Sequence, residues 1–130
     1  MTPEELKLRS KRFALRCLKV AEALPRTLTG RTIANQLARS GTSVTANYRA
    51  ACRGRSKAEF IAKLGVVEEE ADETVFWLEL ATEASSLPQG KLAPLVREAN
   101  ELVAIFAASR ISAQRNSPAA NRKLAIANRK

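Results

Sequence analysis

Histidine is absent from this chain of 130 residues. Its absence removes Ser-His-Asp triads, Cys-His pairs and every metal site built on imidazole, and most hydrolase chemistry goes with them. Cysteine is scarce. Cys17 and Cys52 are far apart and form no CxxC, which argues against a zinc site or a disulfide framework and for two buried thiols in a reducing compartment. Aromatic residues make up 5% of the chain, while Ala, Leu, Glu, Arg and Lys dominate. That mix disfavours a sheet and favours long helices. No stretch approaches the ~18 consecutive apolar residues of a membrane span, and charges through Arg16 interrupt any apolar leader. A cytoplasmic protein with no membrane association is the expectation.

What the chain does have is charge sorted by segment. Residues 1–63 hold 14 Lys/Arg against 4 Asp/Glu, residues 64–113 hold 3 against 9, and residues 114–130 hold 5 against none. One surface should be basic and another acidic, a distribution that favours attraction to a polyanion and association of unlike surfaces. The length fits one domain that buries roughly two thirds of the surface exposed by the unfolded chain.

Apolar periodicity divides the chain into four helical segments. Thr2, Pro3 and Glu5 form a start signature, followed by the stripe Leu6, Phe13, Cys17, Val20 and Leu24 up to Pro25. Arg26 to Thr29 reads as a loop. Gly30 or Thr32 then leads into Ile33, Leu37, Val44, Tyr48 and Ala51, with an end near Gly54. Ser56 and Glu59 make a capping box before the strongest stripe, Phe60, Leu64, Val67, Ala71, Thr74, Leu78 and Ala81, in a helix from Ser56 to Ser85. After a break at Ser85, Ser86, Pro88 and Gly90, a fourth stripe runs through Leu92, Leu95, Ala99, Leu102 and Phe106 and ends before Ser117-Pro118. Short connections between amphipathic helices predict an all-α, antiparallel up-down-up-down four-helix bundle over residues 1–113. Residues 114–130 read as a flexible basic tail.

On a helical wheel Arg31, Arg49 and Arg53 lie opposite the apolar stripe of the second helix, with Arg39 beside them and Arg55 just beyond. With Arg115, Arg122, Lys123, Arg129 and Lys130 of the tail they form the candidate nucleic-acid contacts, because guanidinium and ammonium groups pair with phosphate oxygens. Arg9, Arg12 and Arg16 of the first helix are a second candidate surface. The third helix carries a patch away from its core stripe, with Glu69, Glu73, Phe76, Trp77 and Leu80 as a candidate oligomer interface, since aromatics are enriched at the centres of protein contacts. The acidic run Glu68 to Glu73 reads as a solvated or salt-bridged face, because no inward carboxylate cluster on another helix complements it. No metal, cofactor or catalytic constellation is indicated. Ser40, Ser43 and Asn47 read as hydrogen-bonding groups beside the core.

The segment Asn35 to Leu80 resembles the four-helix-bundle family that includes the 23S ribosomal RNA intervening-sequence proteins. The residues that carry the likeness are Gln36-Leu37, the S-x-x-A-N element at Ser43, Ala46 and Asn47, and R-S-x-x-E-F at Arg55, Ser56, Glu59 and Phe60. The accessory variability protein of diversity-generating retroelements is similar. The resemblance implies an antiparallel bundle assembled as a homopentamer, with nucleic acid or a reverse transcriptase as partner in the retroelement branch, and no active site. Where many members have A-E-G after the Asn, this chain has Arg49, Ala50 and Ala51. The functional expectation is a non-enzymatic oligomeric module that binds RNA or DNA; the alternative is a protein-interaction scaffold that binds neither.

Overall fold

The computed structural model describes residues 1–84, 87, 88 and 90–116. They form four helices, α1 (Pro3–Ala23), α2 (Leu28–Cys52), α3 (Lys57–Ala84) and α4 (Ala93–Arg115). Among the described residues there is no strand. Consecutive helices pack side by side, α1 and α4 close the bundle along a thinner seam, and α1/α3 and α2/α4 are the diagonals. Ser10 bonds Thr45 while Cys17 meets Gly41, Ser40 bonds Thr74 while Glu59 meets Gly54, and Glu68 bonds Arg110 while Glu83 and Ala93 line one groove, so sequence number rises on one helix as it falls on the next. The bundle is therefore antiparallel.

Local chemistry sets the helix starts. The Thr2 hydroxyl accepts from the Glu5 N–H at 3.1 Å while the Thr2 N–H donates to the Glu5 carboxylate at 3.1 Å, which satisfies two otherwise orphaned donors. Ser56 caps Glu59 N–H at 3.1 Å, and the Glu59 carboxylate turns back to the N–H of Arg55 at 2.6 Å. The start of α2 corrects the expected loop from Arg26 to Thr29. Thr27 is the cap, its hydroxyl accepting from Gly30 N–H at 3.1 Å, and the helix begins at Leu28. Gly30 is pressed against the preceding bend so tightly that an added Cβ would lie 1.9 Å from the Pro25 carbonyl oxygen. A glycine within the first turn of α2 is there for close approach. At the other end, α4 continues through Arg115 and so takes in the first two residues of the expected tail.

The four apolar stripes meet in one core. Phe13, Leu37, Val44, Leu64, Val67, Leu78, Leu102 and Phe106 are fully buried, and the Tyr48 and Phe106 rings lie 5.4 Å apart between centroids. A smaller cluster of Leu24, Ile33, Ala81 and Leu92 fills the end near the α1–α2 connection. Among the described residues three polar side chains are buried, Ser10, Ser40 and Thr74, and all have partners: Ser10 with Thr45 at 3.1 Å, and Ser40 with Thr74 at 2.9 Å. Ser10 and Thr74 also bond the Lys7 and Glu70 carbonyls of their own helices, so the register is held most firmly at Ser40, whose hydroxyl would lose Thr74 if α2 slid on α3. Asn47 instead donates back to the Ser43 carbonyl. Of the two cysteines only Cys17 is fully buried, its thiol pushed up to about 12 by burial, while Cys52 is half-buried near the end of α2.

Ion pairs stitch the outside. Arg9 spans the thin α1–α4 seam with a fork on Glu98 at 2.9 and 2.6 Å and a third bond to Glu101 at 2.6 Å. The Arg9 hydrogen bonds hold the Glu98 carboxyl below the ordinary 4.5, against a smaller opposing effect of burial. A carboxyl depressed in the folded state contributes stability that is fully present above its unfolded value and lost as pH falls through the folded one. Glu98→Gln should therefore lower stability at neutral pH and flatten the decline below pH 4.5, read from denaturant midpoints across pH. Core truncation tests the stripes directly. Leu64→Ala and Leu78→Ala, both at fully buried positions, should each cost about 2–5 kcal/mol in chemical denaturation.

Candidate nucleic-acid interface

The antiparallel packing gathers the N-terminus of α1, the C-terminus of α2 and the N-terminus of α3 at one end of the bundle. Two grooves lie there. The first, about 550 Å³, runs between α1 and α2 and is lined by Lys7, Lys11, Arg49 and Arg53, with Thr45 and Leu8 among its walls. The second, about 330 Å³, lies between the end of α2 and the start of α3 and is lined by Arg53, Arg55 and Lys63. Arg53, the C-cap of α2, belongs to both, so the grooves meet at its side chain.

Acids do little to neutralise this end. Glu4 pairs with Lys7 at 3.4 Å, and Glu59 spends its carboxylate on the helix cap. Among the described residues, Lys11, Arg49, Arg53, Arg55 and Lys63 have no carboxylate within ion-pair distance. Converging cations without internal partners can accept several phosphate oxygens of one backbone at once, and a mixed groove of Arg and Lys combines bidentate recognition with point charge.

The arginine face read from the sequence is thus divided. Arg49, Arg53 and Arg55 come together. Arg31 sits at the far end of α2, about 27 Å along the axis from Arg49 at 1.5 Å per residue, and its guanidinium donates to the Arg26 carbonyl at 3.1 Å. Arg39 turns toward α3, where it donates to Glu70 at 3.1 Å and to Glu73. The bond from Arg39, reinforced by the Trp77 indole N–H at 3.2 Å, holds the Glu73 carboxyl below the usual carboxylate range. Arg115 is the last residue of α4, exposed. Arg122, Lys123, Arg129 and Lys130 lie outside the described residues. In α1, Arg9 is taken by Glu98 and Glu101, while Arg12 and Arg16 are exposed. Lys7, Lys11 and Lys63 join the site although the sequence reading did not select them. The one signal for the first two was their i, i+4 spacing on α1, which places them on one side of that helix.

The candidate oligomer patch divides as well. Glu73 is bound to Arg39, Trp77 packs against both apolar clusters, and Leu80 packs against the smaller one. Phe76 stands outward, edge-on to Trp77 with ring centroids 5.0 Å apart, and Glu69 is exposed beside it. Among the described residues no group of three or more acidic or cysteine side chains is placed to hold a metal ion, and no helix is long and apolar enough to cross a membrane.

Fold and site together define an all-α bundle with a basic end. The 23S rRNA-intervening sequence protein family matches residues 5–108, and the chain belongs to that family. A crystal structure of a protein of unknown function from the S23 ribosomal protein family of Bacteroides thetaiotaomicron superposes with a TM-score of 0.77 at 29% identity, covering 85% of this chain and 98% of that one. No curated protein matches.

The two fates of arginine on α2 separate experimentally. Arg39→Ala, which removes both bonds to α3, should cost up to about 1 kcal/mol, the scale of a partly exposed ion pair. Arg49→Ala should leave the denaturation midpoint essentially unchanged.

Proposed function

We propose that this protein is a non-enzymatic, oligomeric module that binds RNA or DNA through the phosphate backbone, using the basic end of the bundle. The observation that carries this reading is the convergence of Lys11, Arg49, Arg53, Arg55 and Lys63 on two grooves that share Arg53, with no carboxylate partner for any of them among the described residues. Membership of a family named for an insertion in 23S ribosomal RNA supports an RNA context. The family likeness also implies a homopentamer, in which the basic end would be repeated around a ring. A cytoplasmic location suits such a ligand and keeps the unpaired thiols of Cys17 and Cys52 reduced. The rival reading, an interaction scaffold that binds no nucleic acid, is favoured by the exposed Phe76 and the acidic α3 around it.

Fluorescence anisotropy with labelled RNA and DNA across a salt series decides between them. Affinity should fall with a log–log slope of about −0.7 to −0.9 per phosphate contact. Arg49→Glu with Arg53→Glu should weaken binding and flatten that slope on all sequences alike, because phosphate contacts read no bases. Arg31→Glu, at the other end of α2, should change it far less. Wild-type protein that binds neither nucleic acid at low salt establishes the scaffold reading instead.

A further inference from the structure

We propose that copies of this chain assemble head to tail, the outward strip of α3 in one copy lying on the outward strip of α1 in the next. This rests on the oligomeric part of the function proposed above and specifies its surfaces.

Residues 64–84 contain seven acids and no Lys or Arg. The bundle itself uses those on the flanks of α3: Glu68 pairs with Arg110, and Glu70 and Glu73 pair with Arg39. Glu69, Asp72, Glu79 and Glu83 are exposed and, among the described residues, have no cation within ion-pair distance. Phe76 is set among them and is 50% exposed. An unpaired acidic strip with an aromatic at its centre seeks a basic surface with an apolar one.

The outward face of α1 has that composition. Leu8 and Leu15, two turns apart, are 48% and 53% exposed. Around them Arg12, Arg16 and Lys19 are exposed and unpaired with any carboxylate among the described residues. A groove of about 490 Å³ opens along this face with Leu8, Arg12, Phe13 and Arg16 among its walls. Its two carboxylates are already engaged, Glu5 by the Thr2 N–H and Glu98 by Arg9, which leaves Leu8 with the unpaired Arg12 and Arg16 to receive Phe76, a cation against an aromatic face being favourable.

Gly65 lies one turn before Glu69 on this strip, and a Cβ added there would meet nothing within 4 Å, so the α3 backbone is open to close approach at that point.

Because α1 and α3 are diagonal in the bundle, the two strips face opposite ways. Packing α3 on α3, or α1 on α1, would oppose like charges. The contact is therefore heterologous, each copy giving one strip and receiving the other, and the rotation per step sets whether the assembly closes into a ring.

Mixing two one-faced variants tests this by light scattering coupled to size exclusion. Phe76→Glu spoils only the α3 strip, and Leu8→Glu with Leu15→Glu spoils only the α1 strip. All three side chains are exposed, so far-UV circular dichroism should show folded protein. Each variant alone should be monomeric, and an equimolar mixture should give a species of two copies, since one intact strip remains on each partner. Wild-type assembly should also lose mass as salt is raised. A monomeric wild type, an α1 variant that keeps the wild-type mass, or a mixture of folded variants that stays monomeric overturns the proposal. If either apolar variant misfolds, Arg12→Glu with Arg16→Glu replaces the α1 variant and Glu69→Lys with Asp72→Lys the α3 one. Mixing those two should restore assembly, through the intact strip that each retains and through the exchanged charges of the other two, and monomers alone overturn the proposal equally. Anisotropy on the same wild-type sample keeps the two readings apart. A monomer that binds RNA defeats only the assembly, and an assembly that binds none defeats only the nucleic-acid function.

Discussion

Gly41 lies against Cys17 so closely that a Cβ there would stand 2.8 Å from the Cys17 Cβ and 2.9 Å from its Sγ. Much of the rest of the bundle depends on this contact between α1 and α2. It brings Ser10 within reach of Thr45, and it sets the separation at which Lys7 and Lys11 of α1 line the same groove as Arg49 and Arg53 of α2. A larger residue at position 41 would part the helices, leave the buried Ser10 hydroxyl without its partner on α2, and spread the cations. Packing at one glycine thus determines the electrostatics of a surface several turns away.

Arginine has two occupations in this fold. Arg9, Arg39 and Arg110 each reach across a seam to carboxylates on a neighbouring helix, at α1–α4, α2–α3 and α3–α4. They are internal fasteners and are poorly available to a ligand. Among the described residues Arg49, Arg53 and Arg55 have no such partner, and they are exposed. The net positive charge says little about binding until these two groups are separated, because only the unpaired cations can exchange their counterions for phosphate.

The fold was largely legible in the sequence. Stripes such as Leu64, Val67, Ala71, Thr74 and Leu78 repeat at helical spacing and are buried as their periodicity required. The start of α2 was not legible, because Gly30 serves a contact with Pro25 that only the folded bend creates. The candidate site was half legible. A wheel gives the direction of a side chain from one helix axis but not the neighbour it meets, so Arg39 and Arg49 looked alike until α3 supplied Glu70 and Glu73 to one of them. Lys7 and Lys11 were hidden for the converse reason: they join Arg49 and Arg53 only through the antiparallel packing of α1 on α2. On the wheel Leu80 lies away from the core stripe and Trp77 on its flank, but both lie where the edge of α3 covers the smaller apolar cluster.

The single tryptophan of the chain sits at a junction of these arrangements. Its indole N–H is bonded to the carboxylate that also receives Arg39, one face of the residue packs on the apolar clusters, and the Phe76 ring stands edge-on against it. The molecule therefore carries a built-in optical reporter. Indole emission responds to the polarity and hydration of its surroundings, so its wavelength will register the closure of the α2–α3 seam from inside an unlabelled protein, and events at the outer surface of α3 through its aromatic neighbour.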